Sequence, residues 1–444
     1  MSQSATPIHR FSGATPLPLE ASFDGGRLTS DGGVPWLEQA ELALGLCAAL
    51  AAVIPDWRRG PVRHSLATLV RQRVFQIACG YEDQDDADTL RTDPLLKLVC
   101  GRLPETGADL ASQPTFSRLE NAVDRRSCYR LALALGELYL RERERAGVPT
   151  HIVLDLDGAD DPTHGQQEGS AYHGYYRQHM LHPLLLFDGT TGQLITAVLR
   201  PGTAHGSAGV VAVLKQVVRR LRARWPEVTI ELRMDSAGAV PAIYAWCERE
   251  GIAYTIGLIT NPRLTALAAP LAAEAQQQRA ATGAEKSRLV GETHYQAESW
   301  EQPRRVIIKA EALPKGPNTR FVVTTRTDPP EALYAWYVQR GAGENWIKDL
   351  KAACFADHLS NHRFWANQFR LLLHAAAYWL LDTLRRWLSE MRVAHMQLDT
   401  LRLGLLKIGG RVYQFRERIR LRLAASHPGQ HLWDHLAAYR CLHE

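Results

Sequence analysis

Three acidic residues occupy positions that favour binding of divalent cations. Asp157 and Asp235 each follow an apolar run typical of a β-strand, and Glu344 lies early in a stretch with helical spacing. In open α/β sheets, ligands bind beyond the carboxyl ends of the strands. Three converging carboxylates without a histidine or cysteine ligand favour a hard cation, Mg²⁺ or Mn²⁺. Two such ions, about 4 Å apart, can hold the attacking and leaving oxygens of an in-line phosphoryl transfer.

The identity of the first acid stays open between Asp155 and Asp157. Residues two apart share one face of a strand, so both side chains would project from the same side. Asp157 is favoured because it is nearer the carboxyl end of the strand. Taken singly, an aspartate at a strand end is also an ordinary turn former or helix cap, so the assignment depends on the surrounding pattern.

A second pattern surrounds Glu344, in the segment YVQRGAGENWIKDLK. Tyr337, Arg340, Glu344 and Lys351 are separated by three, four and seven residues, and these steps all return to one face of a helix. Lys348 joins them four residues after Glu344. Such a face would combine a metal-binding carboxylate with cations that bind phosphate. The plainer alternative is an exposed helix with a Glu–Lys pair.

The C-terminal segment RVYQFRERIRLRL alternates between apolar and basic residues. As a single strand it would place Arg416, Arg418, Arg420 and Arg422 on one face. Four like charges repel one another, which favours an anionic partner such as a DNA backbone. The alternative is a half-buried strand with a solvated basic face.

Helical spacing from about residue 34 predicts that residues 1–148 form an all-helical N-terminal domain, with DNA binding as one of two open interpretations. One of its helices opens at Ser112-Gln113-Pro114 and carries Arg118. A helix-turn-helix unit with Arg118 on DNA and a plain helical bundle with solvated arginines are both compatible with this pattern.

From residue 149 the pattern changes to strands and then to alternating helices and strands, which predicts an α/β fold with a mixed sheet. Residues 149–258 would form the first part of this catalytic core and residues 331–391 its second part. Residues 259–330, between them, predict an inserted β-rich subdomain. Residues 392–444 predict a basic region of strand and helix.

The sequence resembles the DDE transposases of bacterial insertion sequences, in the branch with a Y-x2-R-x3-E-x6-K signature. Tyr337, Arg340, Glu344 and Lys351 fit that signature at every gap. Similar segments extend over nearly the whole chain. They are FDGGRLTSDGG, GYEDQDDADTLRTDP, SQPTFSRLEN, LRPGTAHG, RMDSAG and FADHLSNHRFWANQFRLLLHAAAYWL.

The resemblance implies a ribonuclease-H-like catalytic core with a β-rich insertion between the second and third acids. It implies that two Mg²⁺ or Mn²⁺ ions are bound by Asp157, Asp235 and Glu344. The DNA phosphates near the cut would be held by Tyr337, Arg340 and Lys351. The implied reaction is cleavage at terminal inverted repeats, followed by strand transfer of the element ends into target DNA. A homodimer on DNA, in the bacterial cytoplasm at the nucleoid, is also implied.

Composition limits the function classes. The 444 residues are 45% hydrophobic and 22% charged, typical of a folded protein and not of a disordered, collagen-like or disulfide-rich chain. The longest apolar run, Leu371–Leu381, is shorter than the roughly 20 residues that span a bilayer, so no membrane span is predicted. The net charge of +5 only mildly favours an anionic partner, and the seven scattered cysteines predict reduced thiols.

Two other function classes stay open. A catalytically inactive or domesticated sequence-specific DNA-binding protein would retain the DNA contacts without cleavage. A hydrolase with paired carboxylates, such as a glycosidase, would transfer protons and need no metal.

Overall fold

The computed structural model describes residues 7–11, 17, 19–389, 391 and 396–443. These residues form two compact units. The first unit is drawn from both ends of the chain, residues 1–52, 56–119 and 380–444. The second unit consists of residues 53–55 and 120–379.

The N-terminal part of the chain is mainly helical, with three short strands before the first helix. Its elements are β1 (His9–Phe11), β2 (Leu19–Ala21), β3 (Leu28–Thr29), α1 (Val34–Leu44), α2 (Leu46–Ala52), α3 (Leu66–Ala78), α4 (Asp86–Leu90), α5 (Pro94–Val99) and α6 (Gln113–Ala122). Polar caps fix several helix starts. The Ser65 hydroxyl accepts from the Thr68 N–H at the start of α3, and the Asp93 carboxylate accepts from Leu95 and Leu96 at the start of α5.

The second unit alternates strands and helices, as the sequence predicts. Its elements are α7 (Arg125–Arg145), β4 (His151–Gly158), β5 (Asp161–Pro162), β6 (Ala171–His173), β7 (Gln178–Leu181), β8 (Leu184–Asp188), β9 (Leu194–Val198), α8 (Val210–Arg224), β10 (Thr229–Met234), α9 (Pro241–Arg249), β11 (Ala253–Leu258), α10 (Pro262–Thr282), β12 (Ser287–Tyr295), β13 (Arg304–Leu313), β14 (Gly316–Thr324), α11 (Pro330–Val338), α12 (Gly341–Ala352) and α13 (Phe364–Trp387). The chain then returns to the first unit, where it forms α14 (Leu398–Leu405), β15 (Gly410–Gln414), β16 (Ile419–Leu423) and α15 (Gln430–His443).

A mixed sheet organises the second unit, in the order β12-β13-β14-β11-β10-β4-β8-β9. Its central strands β4, β10 and β11 are parallel, and its outer strands pair antiparallel. Leu156 on β4 is paired with Met234, the last residue of β10. Asp157, near the end of β4, and Asp235, which directly follows β10, therefore lie beside each other at this edge of the sheet.

The helical N-terminal region ends earlier than residue 148. α7 belongs to the second unit, where it packs against β9. Its Tyr139 hydroxyl donates to the buried Asp188 carboxylate at the end of β8 (2.9 Å). A helical period alone does not say which surface a helix covers, and here the apolar face of α7 covers the sheet. The DNA-binding role of residues 1–148 stays a prediction.

The insertion at residues 259–330 extends the main sheet instead of forming a sheet of its own. β14 pairs antiparallel with β11, from Thr324 opposite Thr255 to Phe321 opposite Leu258. β13 and β12 continue outward, and α10 packs on these strands. A strand edge carries unpaired N–H and C=O groups, and β14 satisfies those of β11.

The basic tail is a hairpin rather than a single strand. β15 and β16 pair antiparallel, and the Phe415 N–H closes the turn on the Arg418 C=O (2.9 Å). This turn pairs odd-numbered residues with even-numbered ones, so the expected face of four arginines is wrong. Arg416 and Arg418 lie in the turn. One face of the hairpin carries Arg411, Tyr413, Arg420 and Arg422.

None of the described helices combines the length and the apolar character needed to cross a bilayer. The apolar run Leu371–Leu381 lies within α13 and is buried. Trp379 in this run donates its indole N–H to the Leu194 C=O on β9 (3.0 Å). The run is therefore a core helix segment, as its length predicts.

Two adjacent glycines join the N-terminal and C-terminal parts of the first unit. The Gly32 N–H donates to the Ile408 C=O (2.8 Å), and the Gly33 N–H donates to the Leu406 C=O (3.0 Å). A Cβ atom on Gly33 would lie 1.9 Å from the Leu405 carbonyl oxygen. Backbone packs on backbone here, so a side chain cannot be accommodated by a rotamer change.

We expect Gly33→Ala to lower the free energy of unfolding by about 2–4 kcal/mol, because the backbone at Leu405 must shift. Gly409→Ala is the matched control, since a Cβ there meets no atom within 4 Å. Urea unfolding of both variants measures the difference. Equal stability of the two variants would contradict the close approach.

Candidate active site

Asp157 and Asp235 line one cavity of about 790 Å³ at the carboxyl ends of β4 and β10. We call it the acid cavity, and its charged lining includes Asp157, Asp160, Asp235, Arg340, Glu344, Lys348, Lys351 and Asp357. The Asp157 side chain is 26% exposed. Asp235 caps the 3₁₀ turn Ser236–Gly238, and its Oδ1 accepts from the Ala237 N–H (3.0 Å). The strand ends thus place two carboxylates in one cavity.

The environment of Asp157 favours a positive charge. Burial and the neighbouring Asp235 carboxylate raise the pKa of Asp157 to about 6, against the opposing effect of Arg340. Arg340 Nη1 donates to Asp157 Oδ2 (2.8 Å), and the Gly158 N–H donates to Oδ1 (2.9 Å). A carboxylate beside a second carboxylate binds a cation more readily than an isolated one does.

Arg340 occupies a break between two helices. α11 ends at Val338 and α12 begins at Gly341, so the single helix face expected for the signature residues is wrong. The backbone N–H groups of residues 339, 340, 342 and 343 each donate to the carbonyl three residues back, which tightens the chain into a turn. Gly341 and Gly343 weaken helix propensity at this point. The break lets Arg340 reach the acids of the sheet.

Glu344 lies in the first turn of α12 and lines the acid cavity with its side chain 69% exposed. Its Oε1 lies 3.6 Å from Arg340 Nη2. Arg340 therefore contacts two of the three predicted acids. Among the described residues, no three His, Cys, Asp or Glu side chains are grouped closely enough to hold a metal ion. The three acids share a cavity without converging on one point.

Two lysines stand on the α12 wall of the acid cavity. Lys351 Nζ lies 2.9 Å from Asp160 Oδ1 and 3.3 Å from Asp357 Oδ2. Burial lowers the pKa of Lys351, but the two acids outweigh this effect and raise the pKa above its ordinary value. Asp160 also accepts from Gln178 Nε2 (3.0 Å). Lys351 is therefore held in place, whereas Lys348 is exposed at the cavity surface.

Tyr337 lines a neighbouring groove of about 670 Å³. We call it the insertion groove, because β13 and β14 contribute Lys309, Asn318, Arg320, Phe321 and Val322 to its wall. Asp235 and Arg340 line both cavities. Gly257 on β11 makes room for the phenol, since a Cβ there would lie 2.6 Å from Tyr337 Oη. Tyr337 thus lies next to the acids, but not on the wall that carries Glu344.

Asp155 is engaged in the protein core. It forms a buried ion pair with Arg233 on β10, with Nε 2.7 Å from Oδ1 and Nη2 2.6 Å from Oδ2. Arg233 Nη1 donates to the Trp336 C=O (3.0 Å), and the guanidinium lies 4.8 Å from the Trp336 ring centre. Of the two candidates for the first acid, only Asp157 lines the acid cavity.

The remaining predicted DNA contacts belong to the first unit, whereas the acid cavity is lined by the second unit alone. Arg118 is exposed on α6, with Nη2 3.4 Å from Thr115 Oγ1. Arg420 and Arg422 are exposed on β16. Each of these exposed side chains can contact an anion at the protein surface.

Sequence reasoning missed Arg233, Asp357 and Gly257. A signal for Arg233 exists, since an arginine inside an apolar strand must find a buried partner. The segment RMDSAG drew attention to Asp235 instead. Asp357 and Gly257 carry no comparable local signal, because their contacts come from distant parts of the chain.

A sequence model of the family "Transposase DDE domain group 1" matches residues 12–441. The chain belongs to the DDE transposase family. It is a transposase, an enzyme that cleaves DNA and transfers the strands. No curated protein matches the chain.

Solved structures give weak likenesses to the transposase. The cryo-EM structure of the piggyBac transposase synaptic complex with hairpin DNA is similar at 10% identity, over 92% of this chain and 83% of that chain, with a TM-score of 0.42. The Mos1 paired-end complex with left transposon end has 14% identity over 45% and 61%, with a TM-score of 0.18. The Mos1 mariner paired-end complex with Mn has 13% identity over 68% and 82%, with a TM-score of 0.18. None of these values supports an assignment of individual residues.

Arg233→Met should lower the free energy of unfolding by about 3–5 kcal/mol, because it leaves the Asp155 carboxylate buried without its partner. The double variant Asp155→Leu/Arg233→Met should recover part of this loss. Arg249→Met, at an exposed arginine that ends α9, is the control and should change stability little. Urea unfolding measures all three variants. An Arg233→Met variant as stable as the control would contradict the role of the pair.

Asp157→Asn should stabilise the transposase at pH 7.5 in EDTA, by up to about 2–3 kcal/mol. The pKa of Asp157 in the folded protein, about 6, lies above its ordinary value. Because folding disfavours the ionised carboxyl, the protein loses stability as the pH rises from that ordinary value to about 6. The gain should vanish near pH 4, where Asp157 is protonated in the folded state.

Thermal unfolding between pH 4 and 8 measures this effect. Asp160→Asn is the control of opposite sign. Although burial opposes it, Lys351 lowers the pKa of Asp160, so its loss should destabilise the protein at pH 7.5. A gain for Asp157→Asn that is equal at pH 4 and pH 7.5 would refute the electrostatic explanation.

Proposed function

We propose that this transposase mobilises a bacterial insertion sequence and belongs to the branch with the Y-x2-R-x3-E-x6-K signature. It would cleave DNA at the terminal inverted repeats in a Mg²⁺-dependent reaction and transfer the ends into target DNA, by a cut-and-paste route. The observation that carries the proposal is the pairing of Asp157 and Asp235 at the ends of adjacent parallel strands, with Glu344 on the same cavity.

The sheet supports a ribonuclease-H-like core. In the order β9-β8-β4-β10-β11, β8 is antiparallel to both of its neighbours, β9 and β4. The strands β4, β10 and β11 are parallel to one another. β4 stands at the centre of this set, and its carboxyl end carries Asp157. The ends of parallel strands are the usual place for a site in such sheets.

The chemistry of the donor set fits Mg²⁺ or Mn²⁺. The predicted ligands Asp157, Asp235 and Glu344 are all carboxylates, and the raised pKa of Asp157 indicates a site short of positive charge. Glu344 is exposed, whereas Asp157 and Asp235 are half-buried, and Glu344 would complete the set by leaving Arg340. Two bound ions would activate the nucleophile and stabilise the leaving oxygen of a phosphoryl transfer.

The cations around the acids would position the DNA backbone. Arg340 offers a planar guanidinium that can bind a phosphate with two hydrogen bonds once a metal ion replaces it on Asp157. Lys348 is exposed on the same cavity and Lys351 is oriented by Asp160 and Asp357. Burial raises the pKa of Tyr337, so its phenol stays protonated and would donate a hydrogen bond to phosphate rather than act as a nucleophile.

Further contacts to DNA would come from the first unit. The hairpin arginines Arg416, Arg418, Arg420 and Arg422, and Arg118 on α6, would bind the backbone of the terminal repeats without reading its sequence. Cutting two element ends together would be performed by a homodimer assembled on DNA. The transposase would act at the nucleoid of the bacterial cytoplasm.

The decisive experiment is Mg²⁺-dependent nicking of duplex DNA that carries the terminal sequences flanking the gene. Asp235→Asn and Glu344→Gln should each reduce nicking by at least about 100-fold, because they remove a metal ligand, while DNA binding stays within a few-fold. Glu298→Gln, at an exposed glutamate of the insertion, is the matched control and should nick at the normal rate.

Other outcomes would point to other functions. End binding by the unaltered protein without nicking in any divalent metal would favour a domesticated DNA-binding protein. Nicking that survives EDTA, or full activity of Asp235→Asn, would refute the metal-carboxylate mechanism.

A further inference from the structure

The insertion groove adjoins the acid cavity. Asp235 and Arg340 line both, and the two cavities otherwise have different walls. α12 forms one wall of the acid cavity, whereas β13 and β14 form one wall of the insertion groove. A linear molecule that passes the acids can therefore occupy both cavities at once.

The face of β13 and β14 changes character along its length. Beneath α11 it is apolar, where Ile307 and Val322 pack with Leu333 and Tyr334. Two residues further along each strand, in the next row of the same face, Lys309 stands directly opposite Arg320. This row lines the insertion groove. The face is therefore covered by α11 in one place, and in the next row it places the exposed Arg320 beside the buried Lys309.

Two like charges directly opposite on neighbouring strands destabilise a sheet. Lys309 is partly compensated, since its Nζ lies 2.6 Å from Glu311 Oε2. Arg320 is exposed, and the described residues give it no ion-pair partner. Asn318, also on this wall, donates its amide N–H to the same Glu311 Oε2 (3.0 Å). The groove thus carries an uncompensated guanidinium beside a site where phosphate would react.

We propose that the insertion groove binds the backbone of the reacting DNA strand on one side of the cleaved phosphate, while the acid cavity binds it on the other side. This inference rests on the proposed function. Arg320 would hold a phosphate on the groove side, and Lys348 would hold one on the cavity side. Arg340, common to both, would stand at the crossing point.

The shared residues favour a nucleic acid strand over an acidic protein segment. A strand carries a phosphate at every nucleotide, about 3.4 Å apart along a duplex axis, so it presents charge on both sides of the reacting group. An acidic protein segment would meet Arg320 but would have no reason to continue across Asp235. The groove is accordingly assigned to DNA.

The experiment compares Arg320→Gln and Lys348→Gln on three duplexes in EDTA, where binding is measured without cleavage. One duplex extends on both sides of the cleaved phosphate, as mapped by nicking, and the other two are cut back to that phosphate from opposite sides. Arg249→Gln, which removes the same charge outside both cavities, is the control. Fluorescence anisotropy at several salt concentrations gives the affinity and its salt dependence.

On the full duplex, Arg320→Gln and Lys348→Gln should each weaken binding by about 5- to 10-fold and reduce the salt slope by about one. Each cut-back duplex should abolish the effect of one variant and leave that of the other. Loss of both effects on the same duplex, or no effect of Arg320→Gln on any, would overturn the inference while leaving the proposed function intact. Failure of the unaltered protein to bind any of the duplexes would instead overturn the proposed function.

Discussion

A buried ion pair between Asp155 and Arg233 sets the geometry of the catalytic unit. It joins β4 to β10 inside the sheet, and its guanidinium also contacts the Trp336 backbone and ring at the end of α11. Each partner lies two residues before an acid of the cavity, and Trp336 lies just before the turn that carries Arg340. The pair is buried, and its guanidinium makes four hydrogen bonds, so its position is determined closely. Both acids and the helix break therefore take their places from one buried contact.

The acids of the cavity are partly compensated by its cations before any substrate arrives. Arg340 contacts Asp157 and Glu344, and Lys351 contacts Asp160 and Asp357. The same side chains that would bind metal and phosphate thus compensate each other's burial, which keeps an otherwise costly cluster of like charges stable. On binding, a metal ion would take the place of the cations that contact these acids, and DNA phosphates would take the place of the acids that contact these cations. The cost of opening the ion pairs is then offset by the contacts that replace them.

Much of the sheet follows from the sequence, because apolar runs of five to eight residues bounded by acids, glycines or prolines identify strands locally. The side-by-side placement of Asp157 and Asp235 follows as well, since parallel strands end at one edge. The partner of Asp155 could not be predicted from the sequence, because Arg233 lies far along the chain and the local sequence does not determine which strands pair. The helix break at Arg340 and the turn at Phe415 each changed which residues share a face. In both places a short turn, and not the periodicity around it, decides the outcome.

The first unit depends on contacts between residues that lie far apart in the sequence and are therefore synthesised at different times. The N–H groups of Gly32 and Gly33 donate to the carbonyls of Ile408 and Leu406, and β3 pairs with β15. By contrast, nearly all of the second unit lies within residues 120–379. A ribosome produces a chain from its N-terminus, and domains generally fold as units once they are complete. The catalytic unit can therefore fold while the ribosome is still at work, but the first unit must wait for the last strands. A translation product that stops early would therefore contain the acids of the cavity yet lack a finished first unit.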